Sequence, residues 1–296
     1  MLSDIIDVLA DPVDGTPLSG ADDFARLVSG SGHSYDVARQ GYVTLADGSG
    51  LSHHGDSMAM VLARETFLSG GHFAPFVEAV TAGVHEALDD MDVPLQARPV
   101  ILEVGAGTGY YLSHTLDDVA GSRGVGLDVS VHAAKHLAKC HPRVGSVVAD
   151  VWERLPLRDG SVDAITVVFA PRNAAEFHRV LTPGGQVIVL TAEEGHLDEL
   201  REPLGILGVQ DAKVERMMEK FDGLFDLVAT DLVEFPMTLD RDSIAAQIGM
   251  SPSARHIGPE ELASRLAALP PTMTVTARAR LTRLVKAPRS REDSPS

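Results

Sequence analysis

A glycine-rich run provides the strongest chemical signal in this sequence of 296 residues. The apolar segment Val100 to Val104 ends in Gly105-Ala106-Gly107-Thr108-Gly109, and helical spacing begins at Tyr110. Glycines at the end of a strand let a ligand approach the backbone closely, and the first N–H groups of the next helix are free to bind it. The five residues of the run are therefore predicted to bind a nucleotide-type cofactor.

The acid that precedes these glycines bears on which cofactor is bound. A glycine-rich loop is compatible with a dinucleotide, although the spacing here is G-x-G-x-G and not G-x-G-x-x-G. A carboxylate at Glu103 disfavours a pyrophosphate. S-adenosylmethionine (SAM) instead carries a cationic sulfonium and an ammonium group. Glu103 thus favours SAM and is predicted to be a cofactor-binding residue.

Two further acids follow the next two predicted strands. Asp128 is placed to accept hydrogen bonds from both ribose hydroxyls, with an acidic helix cap as the alternative. Asp150, followed by Val151, is placed for the adenine amino group, but by itself it does not discriminate. The order and separation of the glycine run and these two acids together predict a nucleotide site.

A fourth motif, Phe169-Ala170-Pro171-Arg172, follows the fourth predicted strand. Methyl transfer from SAM is an in-line displacement that chiefly needs positioning and exclusion of water. Phe169 and Pro171 are predicted to form a flat wall for a planar substrate, and Arg172 to lie at the same mouth. The alternative is a proline that simply ends a strand. No catalytic base is identified by the sequence.

Strands and helices alternate from residue 100 onward. Strands are expected at residues 100–104, 124–129, 145–149, 164–169 and 186–190. Helices are expected between them at residues 110–119, 132–140 and 174–181. A helix near 197–204 and strand-like runs at 227–235 and 273–285 follow. This alternation predicts an α/β fold with a doubly wound, mostly parallel sheet.

The rest of the chain divides by composition. A small N-terminal lobe is expected over residues 1–50, a helical linker or cap over 51–95, the α/β domain over 96–286 and a disordered tail over 287–296. Neither a bilayer-spanning segment nor a signal peptide is present, so we expect a cytoplasmic protein. The single cysteine, Cys140, excludes an internal disulfide and a cysteine-based zinc site.

The net charge of −17 counts against nucleic-acid binding, which usually requires basic surface. A local exception lies between Thr272 and Arg291, where six residues are basic and none is acidic. They are Arg278, Arg280, Arg283, Lys286, Arg289 and Arg291. A run of this kind is more often a solvated strand face and tail than a binding surface.

Several specific segments resemble one enzyme family, the bacterial 23S rRNA guanine-N1 methyltransferases, which include housekeeping and macrolide-resistance enzymes. The resemblance covers residues 10 to 285. Its most specific segments are residues 33–43, 55–57, 63–68 and 71–75, followed by 107–111, 126–130, 169–171 and 195–197. It implies a Rossmann-like class I SAM-dependent methyltransferase with a small N-terminal lobe, and a role in antibiotic resistance as in some members.

The resemblance also implies site residues. Positions matching Gly107, Thr108 and His196 contact SAM in the family, as does an aromatic residue at Phe73 that can be tyrosine there. Without the resemblance, His196 would be an ordinary histidine at a helix start. Arg64 and His72 carry no role from the family. We nominate them for the substrate mouth.

The sequence departs from the family in the N-terminal lobe. Family members carry a zinc module there, with C-x-x-C followed by C-x-x-x-H, whereas this chain has Asp11, Asp14, Ser29 and His33 at those positions. Closed structural zinc sites favour thiolate and imidazole ligands. We therefore expect a degenerate zinc-ribbon-like lobe and no structural zinc. Metal capture by the two carboxylates and the histidine is the alternative.

The identity of the methyl acceptor stays open at this level. The leading hypothesis is N1 of a guanine in a 23S rRNA hairpin, which the retained residues 33–43 favour. A small-molecule methyltransferase of secondary metabolism is the alternative, which the acidic charge favours. A non-catalytic SAM-binding partner of the ribosome is a third hypothesis. A homodimer is expected by analogy with two-lobed family members.

Overall fold

The computed structural model of the chain describes residues 1–47, 50–205, 219–251 and 257–288. A small antiparallel sheet comprises strands β1 (Leu18–Ala21), β2 (Arg26–Ser29) and β3 (Ser34–Asp36). A large central sheet comprises β4 (Tyr42–Thr44), β5 (Val100–Val104), β6 (Arg123–Asp128), β7 (Val144–Val148), β8 (Val162–Val168), β9 (Leu181–Ala192), β10 (Phe225–Asp240) and β11 (Thr272–Lys286).

The central sheet is mostly parallel. Its strand order is β10-β11-β9-β8-β5-β6-β7-β4, and every pairing from β9 to β4 is parallel. β11 pairs antiparallel with β9, and β10 pairs antiparallel with β11. The predicted doubly wound, mostly parallel sheet is confirmed. Because β5 to β8 run in one direction, the loops that follow them meet at one edge.

Helices cover both faces of this sheet. They are α1 (Leu2–Ile5), α2 (Met58–Ser69), α3 (Ala74–Asp90), α4 (Tyr110–Asp118), α5 (Val131–Cys140), α6 (Ala174–Val180), α7 (Arg201–Leu204), α8 (Arg241–Gly249) and α9 (Pro259–Ala268). Side chains of α2 to α5 share one hydrophobic core, and α1 and α6 contribute to a second. In α3, Phe76, Val80 and Val84 are fully buried, as their helical spacing predicts.

Most predicted elements have the expected position, with informative exceptions. β9 begins at Leu181, five residues before the predicted start, because Pro183-Gly184-Gly185 lies within a register shift against β8 and not in a simple turn. The helix predicted near 197–204 is a 3-10 turn at Asp198–Leu200 followed by α7. The sequence did not predict α8 or α9, although Asp240 caps α8 by accepting a hydrogen bond from the Ser243 N–H at 2.8 Å.

The N-terminal region is joined to the central sheet by strand pairing. β4 follows the small antiparallel sheet and pairs in parallel with β7, so that Val43 lies opposite Val147. α1 packs on the same part of the sheet, where a Cβ on Gly145 would lie only 2.2 Å from Ile5 Cδ1. The lobe of residues 1–50 therefore contributes its last strand to the central sheet.

No helix in the described part of the chain is long and apolar enough to cross a membrane. The predicted disorder of the tail concerns residues 287–296, of which 289–296 lie outside the described residues.

Candidate cofactor and substrate site

The glycine-rich loop between β5 and α4 forms the base of a cleft at the carboxyl edge of the sheet. Gly105 and Gly107 adopt left-handed backbone conformations, with φ of +69° and +55°. A Cβ on Gly105 would lie 2.5 Å from the Cβ of Ala170, so the loop and the tip of β8 are in close contact. A side chain at either glycine is disfavoured, which explains the glycines that the sequence shows.

The cleft has a volume of about 230 Å³ and brings together most of the sequence-predicted motifs. Among the predicted residues, its lining includes Arg64, Gly105, Gly107, Asp128, Val151, Phe169 and Pro171. The other predicted residues do not line it; they are Phe73, Glu103, Ala106, Thr108, Gly109, Asp150, Arg172, His72 and His196. Their binding roles stay predictions.

Asp128 is held in a fixed orientation at the end of β6. Its Oδ2 accepts a hydrogen bond from the Gly107 N–H at 2.8 Å, and its Oδ1 accepts one from the Ser130 N–H at 2.8 Å. Burial raises the pKa of this carboxyl. The cap of α5 is Ser130, whose side chain accepts a hydrogen bond from the Ala133 N–H. Asp128 is therefore not the helix cap that the alternative interpretation proposed, and it faces the cleft.

Glu103 lies beneath the glycine loop and is almost completely buried. Its Oε2 accepts a hydrogen bond from the Leu112 N–H in the first turn of α4 at 2.9 Å. Burial raises the pKa of Glu103 to about 8. The carboxyl thus stabilises the start of the helix that follows the loop, because it satisfies a backbone N–H that has no partner within the helix.

The residues after β7 form one side of the cleft, the side where the sequence predicts that adenine binds. Ala149 and Val151 line it, while the buried Asp150 carboxylate lies just behind them. Asp150 Oδ2 lies 2.7 Å from His53 Nδ1, and its Oδ1 accepts a hydrogen bond from the Trp152 N–H. The Asp150 carboxylate therefore already has hydrogen-bond partners within the chain. They occupy the carboxylate oxygens that the sequence predicts for an adenine amino group.

A segment before α2 closes one side of the cleft, and its residues carry no chemical motif in the sequence. His54, Gly55 and Asp56 line the cleft. The Asp56 carbonyl accepts a hydrogen bond from Ser130 Oγ at 2.7 Å. The only sequence signal was the run at 55–57 within the family resemblance, because a short loop of this kind has no periodic pattern.

Arg64 on α2 lies beside the cofactor loop. Its Nη2 donates to Asp56 Oδ2 at 2.6 Å, and its Cδ would be 3.1 Å from a Cβ on Gly107. Its Nε is buried and has no hydrogen-bond partner among the described residues. His72, nominated with it for the substrate mouth, lies 3.1 Å from Ser243 Oγ and outside the cleft wall.

An aromatic group forms the other wall. Phe169 follows β8 with a φ of +51°, a conformation that costs free energy in a bulky residue, and its side chain is 41% exposed. Its ring centroid lies 5.8 Å from that of His196 and 6.3 Å from that of Phe73. His196 Nδ1 accepts a hydrogen bond from the Arg278 N–H at 3.0 Å. A neutral His196 consequently carries its proton on Nε2.

Arg172 lies behind this wall. Its Nη2 donates to Thr191 Oγ1 at 2.7 Å, and its Nε is buried without a partner among the described residues. Burial lowers the pKa of the guanidinium.

These features suit SAM. Asp128 offers a charged acceptor to ribose hydroxyls, and the glycines admit a ligand close to the backbone. Arg64 lines the same cleft, its Nε has no partner among the described residues, and a guanidinium is a suitable donor for the carboxylate of a methionine moiety.

The four positions that correspond to the family's zinc ligands lie together in the N-terminal lobe. One ligand atom each from Asp11, Asp14 and His33 falls within 4.8 Å of the others. These groups already bond to one another and to their neighbours. Asp11 Oδ1 accepts hydrogen bonds from the Val13 N–H at 2.9 Å and the Tyr35 hydroxyl at 2.8 Å, and its Oδ2 lies 2.7 Å from His33 Nδ1.

Three arginines of the basic run near the C-terminus pair with acidic side chains, while Lys286 donates to the Leu181 carbonyl at 2.6 Å. Arg278 pairs with Glu234 and Arg280 with Glu193, while the buried Arg283 pairs with both Glu86 and Asp90. Within the described residues, the run lies on a strand as the sequence predicted, but its arginines are ion-paired and Arg283 is buried, where a solvated face was expected. Arg289 and Arg291 lie outside the described residues.

Comparison with known proteins shows the family. Residues 101–185 match a family described as a methyltransferase domain. A Micromonospora griseorubida protein with the provisional name 23S rRNA (guanine-N1)-methyltransferase is 40% identical over 292 residues, which cover 96% of this chain and 99% of that protein. The 23S rRNA (guanine(748)-N1)-methyltransferase of Streptomyces fradiae is 37% identical over 276 residues, covering 93% and 96% of the two chains.

Exchanging the Asp128 carboxylate for an amide is expected to weaken SAM binding. In Asp128→Asn one oxygen is left to serve the Gly107 N–H, the Ser130 N–H and the ribose, and the charge is lost. Because hydrogen bonds to a charged group contribute about 1.5–3 kcal/mol, Kd for SAM should rise about ten- to a hundredfold. Titration calorimetry measures this. Asp118→Asn, at the exposed end of α4, is the control. An unchanged Kd in a folded Asp128→Asn protein would contradict the assignment.

Removing the ionisable group of Glu103 is expected to change how stability depends on pH. A buried acid with a raised pKa favours the folded state below its unfolded pKa of 4.5, and that contribution is lost as the pH rises through about 8. Glu103→Gln should therefore gain stability over wild type between pH 5 and 9, by up to several kcal/mol. Urea unfolding across this range measures the difference, with the exposed Glu78→Gln as control. Parallel pH profiles for Glu103→Gln and wild type would refute this explanation.

Proposed function

Since the chain belongs to the family of 23S rRNA (guanine-N1)-methyltransferases and is a SAM-dependent methyltransferase, we propose that its methyl acceptor is N1 of a guanine in a 23S rRNA hairpin. The observation that carries the proposal is the Phe169 ring. It is exposed, flat and held in a costly backbone conformation at the carboxyl edge of the sheet, beside the cofactor loop. Unpaired bases are recognised by stacking on rings of this kind.

Different residues bind the cofactor and the acceptor base. SAM, when bound, supplies an electrophilic methyl group on its sulfonium. Asp128 binds the cofactor's ribose, and the glycine loop lets the cofactor lie close to the backbone. Arg64 binds the cofactor's carboxylate. Phe169 and Pro171 stack the flipped guanine and exclude water from the reacting edge. This arrangement favours an in-line transfer by positioning the acceptor.

The proton on guanine N1 must leave during this reaction. His196 is close to the aromatic wall, but its Nδ1 is engaged by the Arg278 N–H. We propose that His196 acts as a hydrogen-bond donor through Nε2 and not as the base.

A small-molecule acceptor is the second candidate, and one observation favours it. The net charge is −17, and the arginines of β11 are paired with acids and so offer little to phosphates.

If the rRNA acceptor is correct, the reaction belongs to the cytoplasm. A modified ribosome would then be a route to antibiotic resistance.

We also propose that the N-terminal lobe folds without structural zinc. The family's metal does not suit the residues present, because two carboxylates, a hydroxyl and one imidazole are poor substitutes for thiolates. The Asp11 carboxylate lies at the centre of this cluster, in place of a metal ion, and binds its neighbours by hydrogen bonds. Although burial raises its pKa, hydrogen bonds from the Val13 N–H, Tyr35, Ser29 and His33 leave it below the ordinary value.

Labelled methyl transfer tests the acceptor. Purified protein is incubated with methyl-labelled SAM and either naked 23S rRNA fragments or a low-molecular-weight cell extract. Label is expected in one rRNA hairpin, at a guanine that then blocks reverse transcription because N1 lies on the pairing edge. Phe169→Ala should lower this transfer at least tenfold while leaving Kd for SAM within a few-fold. Label in the small-molecule fraction alone would overturn the rRNA acceptor, and label in neither would support a non-catalytic role.

Metal analysis tests the lobe. We expect less than stoichiometric zinc in the purified protein and no change in thermal unfolding when a chelator is added. Asp11→Ala should destabilise the lobe by about 2–4 kcal/mol, because buried donors lose their acceptor. Asp22→Asn, which removes only an exposed ion pair with Arg26 and suits the left-handed backbone at that position, should cost less than about 1 kcal/mol. Stoichiometric zinc, or a chelator that lowers the melting temperature, would refute the proposal.

A further inference from the structure

A second depression lies beside the cofactor loop, on the helical face of the sheet. We call it the α4–α5 groove. It has a volume of about 790 Å³ and lies between α2, α4 and α5. Its principal polar lining comprises Glu65, Tyr110, His114, Lys135, His136 and Lys139. Thr108 of the glycine loop also lines it, while the preceding Gly107 lines the cofactor cleft, so the two depressions adjoin.

Two lysines on α5 give the groove its charge. Lys135 and Lys139 are four residues apart and therefore lie one above the other on the same side of the helix. Neither forms a hydrogen bond or an ion pair with any other described residue, and Lys139 is exposed. The carboxylate that lines the groove, Glu65, is engaged by His136 at 3.2 Å. Both ammonium groups are consequently available to a ligand.

This availability is unusual in a chain with a net charge of −17. Arg123, Arg179 and Arg265 each pair with a carboxylate, as do the arginines of β11 described above. Long-range repulsion by the acidic surface should direct a polyanion to places where cations are not already neutralised. The α4–α5 groove is one such place next to the cofactor.

Aromatic rings line the groove together with the two lysines. The Tyr110 and His114 rings lie 4.6 Å apart, and His114 Nδ1 donates to the Tyr110 carbonyl at 2.7 Å, which fixes the imidazole on α4. Tyr110 is partly buried and His114 is exposed. Cations that track phosphates, combined with aromatic faces for bases, are the features by which proteins bind single-stranded nucleic acid.

We propose that the α4–α5 groove binds a single-stranded segment of the substrate RNA next to the target guanine. Lys135 and Lys139 contact its phosphates, and the Tyr110–His114 pair supports a base. The inference rests on the proposed rRNA acceptor and adds the route of the flanking strand.

The test uses the 23S rRNA hairpin that wild-type enzyme methylates and the double variant Lys135→Gln/Lys139→Gln. RNA binding is measured by fluorescence anisotropy between 50 and 200 mM salt. The slope of log K against log salt should become shallower by about 1.4, because each single-strand phosphate contact contributes about 0.7. Affinity at 100 mM salt should fall roughly tenfold, KM for RNA should rise and kcat should hardly change. Kd for SAM and the melting temperature should remain those of wild type.

Two further proteins make the result specific. Lys135→Arg/Lys139→Arg keeps both charges and should restore the wild-type salt slope. Arg98→Gln/Arg201→Gln also removes two positive charges, but from exposed arginines that pair with acids, and should leave the slope unchanged. If the wild-type enzyme methylates the hairpin but the lysine variant has an unaltered salt slope, RNA binding by the α4–α5 groove is refuted and the rRNA acceptor is not. A wild-type enzyme with no activity on rRNA would overturn the acceptor, and the groove with it.

Discussion

The site depends on how the end of β6 holds the loop that follows β5. The Leu127 carbonyl accepts hydrogen bonds from the N–H groups of Gly105 and Ala106, and the Asp128 carboxylate accepts one from Gly107. Three successive backbone donors of the loop are thereby fixed to the neighbouring strand. This satisfies polar groups that would otherwise be buried without partners, and it sets the position of the cofactor cleft. The same carboxylate that orients the loop also lines the cleft.

Sequence reasoning located this part of the molecule well, for a physical reason. Buried parallel strands such as Val100–Val104 have nearly continuous apolar sequences, and the glycines and acids that follow them are constrained by close approach and by chemistry. The 54–56 segment had no motif of its own, and the place of Arg64 at the substrate mouth stays a prediction. Loop positions and long side chains depend on tertiary contacts, which local patterns do not contain. Glu103 shows a third case: its type and place were informative, but its direct contact is with the helix backbone.

The two kinds of cation in this chain have different physical meanings. Arginines on β11 lie within reach of acids on adjacent elements, so their charge stabilises the fold locally and is not available to a ligand. The lysines of α5 line a groove and form no ion pair with a described residue, because the carboxylate of the groove, Glu65, pairs with His136. Composition alone gives both the same weight, which explains why a strongly acidic total charge is compatible with an RNA acceptor.

The pairing of β4 with β7 has a consequence for how this architecture can change. The N-terminal lobe is not joined to the α/β domain by a linker alone. Its final strand continues the central sheet, and its first helix packs on the same edge. Loss of metal ligands in the lobe therefore leaves its orientation fixed by backbone hydrogen bonds to β7. A chimaera that exchanged the lobe with that of a zinc-containing relative would need its crossover point after β4, and would have to preserve the fit between Ile5 and Gly145. The surface of the lobe can then evolve to recognise new RNA, while the sheet keeps the orientation of the lobe constant.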